Sequence, residues 1–201
     1  MSKSHIKTLG SSSHTEEVRE KDDYYATHPD DVGVFLDKLA KDGEVLSDSI
    51  WEPACGQGHI SEVLIDRGYN VLSSDLVNRG YGNVGDFLDQ NDELWQGDII
   101  TNPPFKIAKE FIEKSMSILR DGNKLILLLP LRYLETKIRY ALFQELMPKY
   151  CYVYSYRIDI GKSGEVHGGN AVAYCWYVWE QGFCGETTVR FIPRPNWECV
   201  K

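Results

Sequence analysis

The stretch TNPPF, Thr101–Phe105, places an amide side chain, two prolines and an aromatic ring directly after the apolar run GDII. Open α/β sheets usually carry their chemistry at the carboxyl ends of the strands, and an Asn side chain offers both an acceptor and two donors there. The prolines would hold such a corner in one conformation. Pro-Pro also simply ends a strand and begins a helix, and Asn before Pro is common in turns. The neighbouring motifs decide between these interpretations.

A second corner, WEPACGQG, lies at the first predicted strand-to-helix junction. Gly56 and Gly58 allow a ligand to approach the backbone, and the helix that follows offers unpaired N–H groups. A two-glycine turn without a ligand is also common. Asp75 ends the next predicted strand, where acidic residues of dinucleotide folds accept hydrogen bonds from ribose hydroxyls. A helix cap is the alternative role for Asp75.

A third corner contains Gly85, Asp86 and Phe87. The Asp86 carboxylate could accept a hydrogen bond from an adenine amino group, and the Phe87 ring could pack on a purine face. The three corners together indicate a single cofactor that carries adenosine.

Alternating strand and helix patterns position these corners. From Pro29 to Leu146, apolar residues at helical spacing alternate with short strand-like runs, and the last third contains three runs rich in aromatic and β-branched residues. A helix is predicted at Glu135–Leu146. The central strands are predicted at Ser49–Trp51, Asn70–Ser74, Asp98–Thr101 and Lys124–Leu129. This order predicts an α/β fold with a mostly parallel sheet and an antiparallel edge.

The composition indicates one domain. The 201 residues are 42% apolar with a net charge of −8, and we expect a mobile polar arm over residues 1–22 and a single domain over residues 23–201. The charge disfavours a generic polyanion binder, although residues 102–170 carry 11 Lys and Arg against 7 Asp and Glu. The five cysteines form no Cys-x-x-Cys, so we expect neither disulfides nor a metal site. No signal or membrane-spanning pattern is visible, which predicts a cytoplasmic protein.

The motifs DYYATHP, EPACGQG, SSDL, GDFLD, NPPF and GGNAVAYCWYVWE, in this order, resemble those of class I S-adenosylmethionine-dependent methyltransferases of the amino-group type. The resemblance is closest to phage-encoded DNA adenine-N6 methyltransferases and runs from Asp22 to about Trp179. It implies a Rossmann-like three-layer sandwich with a mostly parallel seven-stranded sheet and an antiparallel strand near its edge. It also implies S-adenosylmethionine as cofactor and S-adenosylhomocysteine as product. His28 departs from the family pattern, in which an acidic or apolar residue is expected.

The resemblance assigns cofactor contacts to residues of each corner. The segment of Tyr25 and Thr27 resembles the one that covers the methionine end of the cofactor. The remaining implied contacts are the cofactor loop with Glu52, Ala54, Gly56 and Gly58, the ribose binder Asp75, the adenine contacts Asp86 and Phe87, and Asn102.

The resemblance also gives the TNPPF corner a catalytic role. An exocyclic purine amine is a poor nucleophile because its lone pair is delocalised, and its two N–H donors need two acceptors. The side-chain oxygen of Asn102 and the carbonyl of Pro103 would supply them and favour the pyramidal nitrogen of the transition state. Pro104 would hold the corner, and Phe105 would stack on a base swung out of the duplex. Direct methyl transfer of this kind requires no metal.

The sequence predicts a substrate with a planar NH₂ group more firmly than it predicts which molecule carries that group. Adenine in duplex DNA is the leading hypothesis, while adenine in RNA, a protein glutamine amide, and a cofactor-binding protein without turnover are the alternatives. The short stretch after Phe105 leaves no room for a separate target-recognition domain, so we expect short or relaxed sequence specificity. A homodimer remains open.

Several polar residues outside the corners carry weaker predictions. Arg132, Lys137, Arg139 and Lys162 could contact phosphates beside the site, with solvated surface positions as the alternative. We interpret His59 and His167 as ordinary surface or core residues rather than ligands.

Overall fold

The structure is a computed structural model, and it describes residues 25–90, 93–158, 160–162 and 172–197. The predicted arm over residues 1–22 lies outside these ranges. Within them, no helix is both long and apolar enough to cross a membrane.

Four α-helices and ten β-strands make up the described chain. The helices are α1 Pro29–Lys41, α2 His59–Asp66, α3 Ala108–Ile118 and α4 Lys137–Glu145. The strands are β1 Tyr25–Thr27, β2 Ser49–Glu52, β3 Asn70–Asp75, β4 Asn83–Val84, β5 Asp98–Thr101, β6 Lys124–Pro130, β7 Tyr150–Tyr154, β8 Ile160–Lys162, β9 Tyr174–Glu180 and β10 Thr188–Ile192.

Eight of the strands form one sheet in the order β10-β7-β9-β6-β5-β2-β3-β4. All neighbouring pairs are parallel except those that involve β9, which runs antiparallel between β6 and β7. The mostly parallel sheet with an antiparallel strand near its edge is therefore confirmed. The sheet has eight strands rather than the predicted seven, because β10 pairs in parallel with β7 and extends the edge.

Two hydrophobic clusters cover the two faces of this sheet. Alternate side chains of β6 point to opposite faces, as the period of a strand requires. Ile126 and Leu128 pack with α1 and α2, whereas Leu125, Leu127 and Leu129 pack with α3 and α4. Every residue of β6 is buried, which explains why the strand reads as a continuous apolar run.

Two local features differ from the sequence prediction. β1 and β8 form a separate antiparallel pair in which Tyr25 aligns with Lys162. The helix expected at Glu135–Leu146 begins only at Lys137, and a 3₁₀ turn at Leu131–Leu134 precedes it. Thr136 has a φ of 91° between the turn and the helix, a backbone conformation that is incompatible with an α-helix.

Candidate active site

A cleft opens at the carboxyl ends of β2, β3 and β5, where the predicted corners meet. It encloses about 840 Å³ of empty space, including the part open to solvent. Predicted site residues in its wall are Tyr25, Thr27, Glu52, Ala54, Asp75, Asp86, Phe87, Asn102 and Pro104. The structure therefore brings residues of all the predicted corners together.

Glu52 ends β2 as a buried carboxyl group in the cleft wall. The Ser61 hydroxyl donates a hydrogen bond to Glu52 Oε2, and the Ser61 and Ser73 hydroxyl oxygens lie 2.6 Å apart. Burial raises the pKa of Glu52 to about 8, because the ionised form loses its hydration. Glu52 is therefore largely protonated at neutral pH in the cleft without ligand.

Gly56 and Gly58 are buried at the first corner, next in sequence to the cleft-lining residues Cys55 and His59. Gly58 has a φ of 87° and caps α2, and a Cβ atom at this position would lie 2.6 Å from ring carbons of Tyr81. Only glycine fits both the conformation and the space. The Gly56 N–H donates to Asp75 Oδ2 at 2.8 Å, so the first corner is tied directly to the second.

Asp75 is buried at the end of β3 and belongs to the cleft wall. Its Oδ1 accepts a hydrogen bond from the Val77 N–H at 2.9 Å, and its Oδ2 accepts the one from Gly56. An ionised carboxylate has about four acceptor positions. The two backbone bonds fix the Asp75 side chain and leave acceptor capacity for ligand hydroxyl groups.

The third corner combines a polar and an apolar element. Asp86 Oδ1 accepts a hydrogen bond from the Leu88 N–H at 2.9 Å, which closes a tight turn. The Phe87 ring is 2% exposed and packs against Trp51 and Phe111 at centroid distances of 5.1 and 4.9 Å. Phe87 is thus a core residue that also forms part of the cleft wall.

The Asn102 side chain is held in a single orientation. Its Nδ2 donates to the Tyr25 carbonyl oxygen at 2.9 Å and to Thr27 Oγ1 at 3.1 Å. Because a carbonyl oxygen only accepts hydrogen bonds, the amide nitrogen must face β1. Asn102 Oδ1 is then buried with no hydrogen-bond partner among the residues that the structure describes. An unpaired buried acceptor is costly, which makes this oxygen a ready partner for a ligand N–H group.

Of the other residues of the TNPPF corner, Pro104 lines the cleft and Phe105 does not. Pro104 belongs to the cleft wall, and the buried Pro103 precedes it. The Phe105 ring stacks on Tyr25 with a centroid distance of 5.5 Å and an interplanar angle of 10°. It also contacts Tyr174 at 6.0 Å. Phe105 therefore sits in an aromatic group outside the cleft wall, and Tyr25 links this group to the cleft.

Three of the four predicted phosphate contacts lie together after β6 and outside the cleft. Arg132 and Lys137 are exposed. The Arg139 guanidinium lies 4.1 Å from the centre of the Tyr133 ring, and its Nη1 donates to the Arg132 carbonyl at 3.2 Å. The backbone of Lys162 belongs to β8, and the side chain of Lys162 and all of His167 lie outside the described part of the structure.

Some cleft residues had no predicted role. His59 begins α2 and belongs to the cleft wall, although it was interpreted as an ordinary histidine. Burial, together with the nearby His28, lowers the pKa of His59. The position of His59 directly after Gly58 was the sequence signal for its place in the cleft. Leu76 and Val77 also line the cleft, and their signal was their position directly after Asp75. Among the described residues, no three His, Cys, Asp or Glu side chains are grouped to hold a metal ion.

Comparison with known proteins bears on the fold. No protein-family profile and no curated protein matches the chain. It is similar in structure to a proposed RNA methyltransferase from Pyrococcus horikoshii, with a TM-score of 0.58 and 16% identity over 80% of this chain and 87% of the other. A proposed class I S-adenosylmethionine-dependent methyltransferase from Listeria monocytogenes gives a TM-score of 0.58 and 14% identity over 83% and 65% of the two chains. This chain has the class I methyltransferase fold.

A third similar structure is the modification subunit of a proposed type I restriction enzyme from Vibrio vulnificus. The TM-score is 0.56 and the identity 15% over 87% of this chain, which spans only 48% of the Vibrio protein. The predicted class I methyltransferase fold is thus confirmed. Identities this low establish the fold and leave substrate and activity to be argued from the site.

Proposed function

We propose that the chain is an S-adenosylmethionine-dependent methyltransferase that modifies the exocyclic N6 amine of an adenine swung out of duplex DNA. The observation that carries this proposal is Asn102 Oδ1, a buried acceptor that has no partner in the described part of the chain and belongs to a side chain held by Tyr25 and Thr27. An oxygen in this state suits a substrate that donates an N–H bond.

The cleft residues fit S-adenosylmethionine. Asp75 retains acceptor capacity for ribose hydroxyls, Asp86 lies at the third corner, and Phe87 supplies an apolar wall for an adenine ring. When bound, the cofactor supplies an electrophilic methyl group on a positively charged sulfur. Asp75 supplies a nearby carboxyl group, which suits a ligand of net positive charge.

The protein acts mainly by orienting the amine. Asn102 Oδ1 accepts one N–H bond of the amine, and the Pro103 carbonyl accepts the other, so the nitrogen becomes pyramidal and its lone pair points at the methyl carbon. With the amine held in this way, the cofactor would supply its methyl group as the new nitrogen–carbon bond forms, and its sulfur would keep the electron pair of the broken carbon–sulfur bond. The extra amine proton then leaves to water. Alignment of the two reacting atoms supplies much of the acceleration.

The same geometry would serve adenine in RNA or a glutamine amide, because each presents a planar NH₂ group. The decisive test is transfer from radiolabelled S-adenosylmethionine to unmethylated duplex DNA, RNA of the same sequence and a glutamine-containing peptide, followed by identification of the modified residue. We expect N6-methyladenine in DNA. Label only in RNA or only in the peptide would identify that molecule as the substrate instead of DNA. Cofactor binding with no label in any of them would indicate a binding protein without turnover.

Asn102→Ala tests the mechanism within the same assay. Loss of the aimed acceptor should lower kcat by about 10²–10³-fold, with little change in cofactor affinity. Asn123→Ala is a matched control, because Asn123 donates to Ser47 and Asp98 away from the cleft. Equal transfer rates for Asn102→Ala and the unmodified chain would contradict the proposed mechanism.

A further inference from the structure

β10 forms one edge of the eight-stranded sheet and, among the described strands, pairs only with β7. The Thr188 N–H donates to the carbonyl of Lys149, the residue directly before β7. Backbone groups of successive residues in a strand point alternately to its two edges. The N–H and C=O groups of Val189 and Phe191 therefore point away from β7, where another strand could pair with them.

Val189 and Phe191 also carry exposed apolar side chains, 52% and 62% exposed. Because they are two residues apart on a strand, both side chains lie on one face of the sheet, opposite to the face on which Ile192 is buried against α1 and α2. They align with Cys151 and Val153 of β7, which belong to or pack against the other hydrophobic cluster. An apolar surface thus extends from the core to the open edge. Val189 and Phe191, with their outward-pointing backbone groups, are called the β10 edge.

The β10 edge lacks most of the features by which edge strands avoid pairing. Those features include very short length, a proline or bulge within the strand, and charged side chains. β10 has five residues without a proline, and all five align with β7 without a bulge. The strand at the other edge of the sheet, β4, has only two residues. β10 is therefore the edge that is suited to pairing with a further strand.

The charges around the β10 edge complement themselves across a twofold axis. Exposed Glu186 and Arg194 lie two residues beyond the two ends of β10, at equal distances in sequence from Arg190. In an antiparallel pair of two β10 strands centred on Arg190, Glu186 of each copy faces Arg194 of the other. The same register places Val189 opposite Phe191, so their outward N–H and C=O groups would exchange both hydrogen bonds. Charge, backbone pattern and apolar side chains all fit this one register.

Arg190 would meet its own copy at the axis, where like charges are unfavourable. Its Nη1 lies 3.2 Å from Asp42 Oδ2, and its guanidinium lies 3.8 Å from the centre of the Tyr150 ring, so its charge is balanced within its own chain. A nucleic acid at this edge would bring phosphates to the Glu186 carboxylate and the outward carbonyl groups. A strand from another protein would have to supply the complementary charges that a second copy already carries.

We propose that two copies of the chain form a dimer by antiparallel pairing of their β10 strands, centred on Arg190. The sheet then continues across the twofold axis, and Val189 and Phe191 of each copy pack against those of the other. β7, β9 and β6 lie between β10 and β5, so this pairing leaves the candidate active site open. The dimer does not depend on the identity of the substrate.

Sedimentation velocity of the full chain from about 0.1 to 100 μM tests the dimer, because a micromolar Kd lies within this range. We expect the mass to rise with concentration to that of two chains. Phe191→Lys should abolish the dimer, because it removes the ring and places a charge in the pairing edge. Val84→Lys is the matched control, since Val84 is also 62% exposed and lies on the other edge strand, β4. It should leave the dimer unchanged.

Charge reversal tests the register. Glu186→Arg and Arg194→Glu each turn both symmetry-related ion pairs into like-charge pairs, so each should raise the Kd of the dimer about tenfold. The double variant E186R/R194E should restore the Kd, because opposite charges face each other again. These changes alter only exposed side chains, so they test the same pairing if Phe191→Lys is unstable.

The possible outcomes support or overturn the dimer. A chain that stays monomeric over the whole range overturns it, and so does a dimer that Phe191→Lys leaves intact or that Val84→Lys weakens equally. A double variant E186R/R194E that dimerises no better than the single variants overturns the antiparallel register centred on Arg190. Weakening by each single reversal with recovery in the double variant supports it.

Discussion

At the residue scale, function in this cleft depends on how polar side chains are held. Asn102 resembles any other Asn at a turn until Tyr25 and Thr27 orient its amide nitrogen towards β1. Asp75 is likewise fixed by two backbone N–H groups. Such prior orientation allows a group to act without rearrangement during the reaction.

Thr27 is predicted to position Asn102. In Thr27→Val the shape is kept, but the Nδ2 group of Asn102 loses an acceptor, so its side chain turns more freely and kcat should fall about tenfold, the cost of one lost hydrogen bond of about 1.4 kcal/mol. Thr27→Ser keeps the hydroxyl and should retain most activity. Single-turnover rates at saturating cofactor check this, and equal rates for the Val and Ser variants would contradict it.

Glu52 should make stability depend on pH. An unfolded Glu loses its proton near its ordinary pKa of 4.5, whereas burial holds the pKa of Glu52 at about 8. Between these values the unfolded state binds fewer protons, so the free energy of unfolding should fall with rising pH by up to about 1.4 kcal/mol per pH unit.

Glu52→Gln removes this titration and isolates its effect. The variant should gain stability relative to the unmodified chain from pH 5 to pH 8, because Gln stays neutral. Urea unfolding of both chains at pH 5, 6.5 and 8 measures the difference. A difference that is constant across this range would show that Glu52 ionises as freely in the folded chain as in the unfolded one.

At the element scale, two short segments of the described chain determine the surroundings of the cleft. β1 supplies the groups that orient Asn102 and is itself held by pairing with β8. The segment after β6 turns sharply at Thr136 before α4 begins. Both segments are short, so tertiary contacts rather than local propensity must stabilise them.

The backbone at Thr136 is strained. A φ of 91° with a ψ of 148° is a conformation that favours glycine strongly over residues with a Cβ atom. Thr136→Gly should therefore stabilise the protein by about 1 kcal/mol, whereas Thr136→Ala keeps the Cβ atom and the strain. Urea unfolding compares the two variants, and a Gly variant no more stable than the Ala variant would refute the strain.

At the scale of the whole molecule, the candidate site lies at one edge of the sheet, and charge is distributed unevenly along the chain. Residues 1–101 carry 8 basic and 20 acidic residues, whereas residues 102–170 carry 11 and 7. The cofactor corners lie mainly in the first range and the proposed DNA contacts in the second. The net charge of the whole chain therefore says little about the surface that meets a polyanion.

Cofactor binding should stabilise the whole domain. S-adenosylmethionine at 100 times its Kd should raise the free energy of unfolding by about 2.7 kcal/mol and the unfolding temperature by about 5–10 °C for a domain of this size. Asp75→Ala should show a much smaller shift at the same concentration, because a ribose acceptor is lost. Thermal unfolding with and without cofactor checks both chains, and equal shifts would remove Asp75 from the site.

The sequence by itself determined the strand-to-helix corners, the extent of the central strands and the mostly parallel sheet. Periods of 2 and 3.6 residues, glycines and prolines are local signals that remain readable in one dimension. β2, β3, β5 and β6 were accordingly predicted within one residue of their ends. The residues of the corners followed, since carboxyl ends of parallel strands meet at one edge.

Only the tertiary structure decided the remaining features. These features depend on contacts between residues far apart in the chain. They are the pairing of Tyr25 with Lys162, the orientation of the Asn102 amide by β1, the addition of β10 to the sheet and the exposure of Ile138 and Tyr140. The strand and helix periodicity of a sequence does not specify such contacts. They form because packing of the whole sheet and its helices selects one arrangement among several that each segment alone would allow.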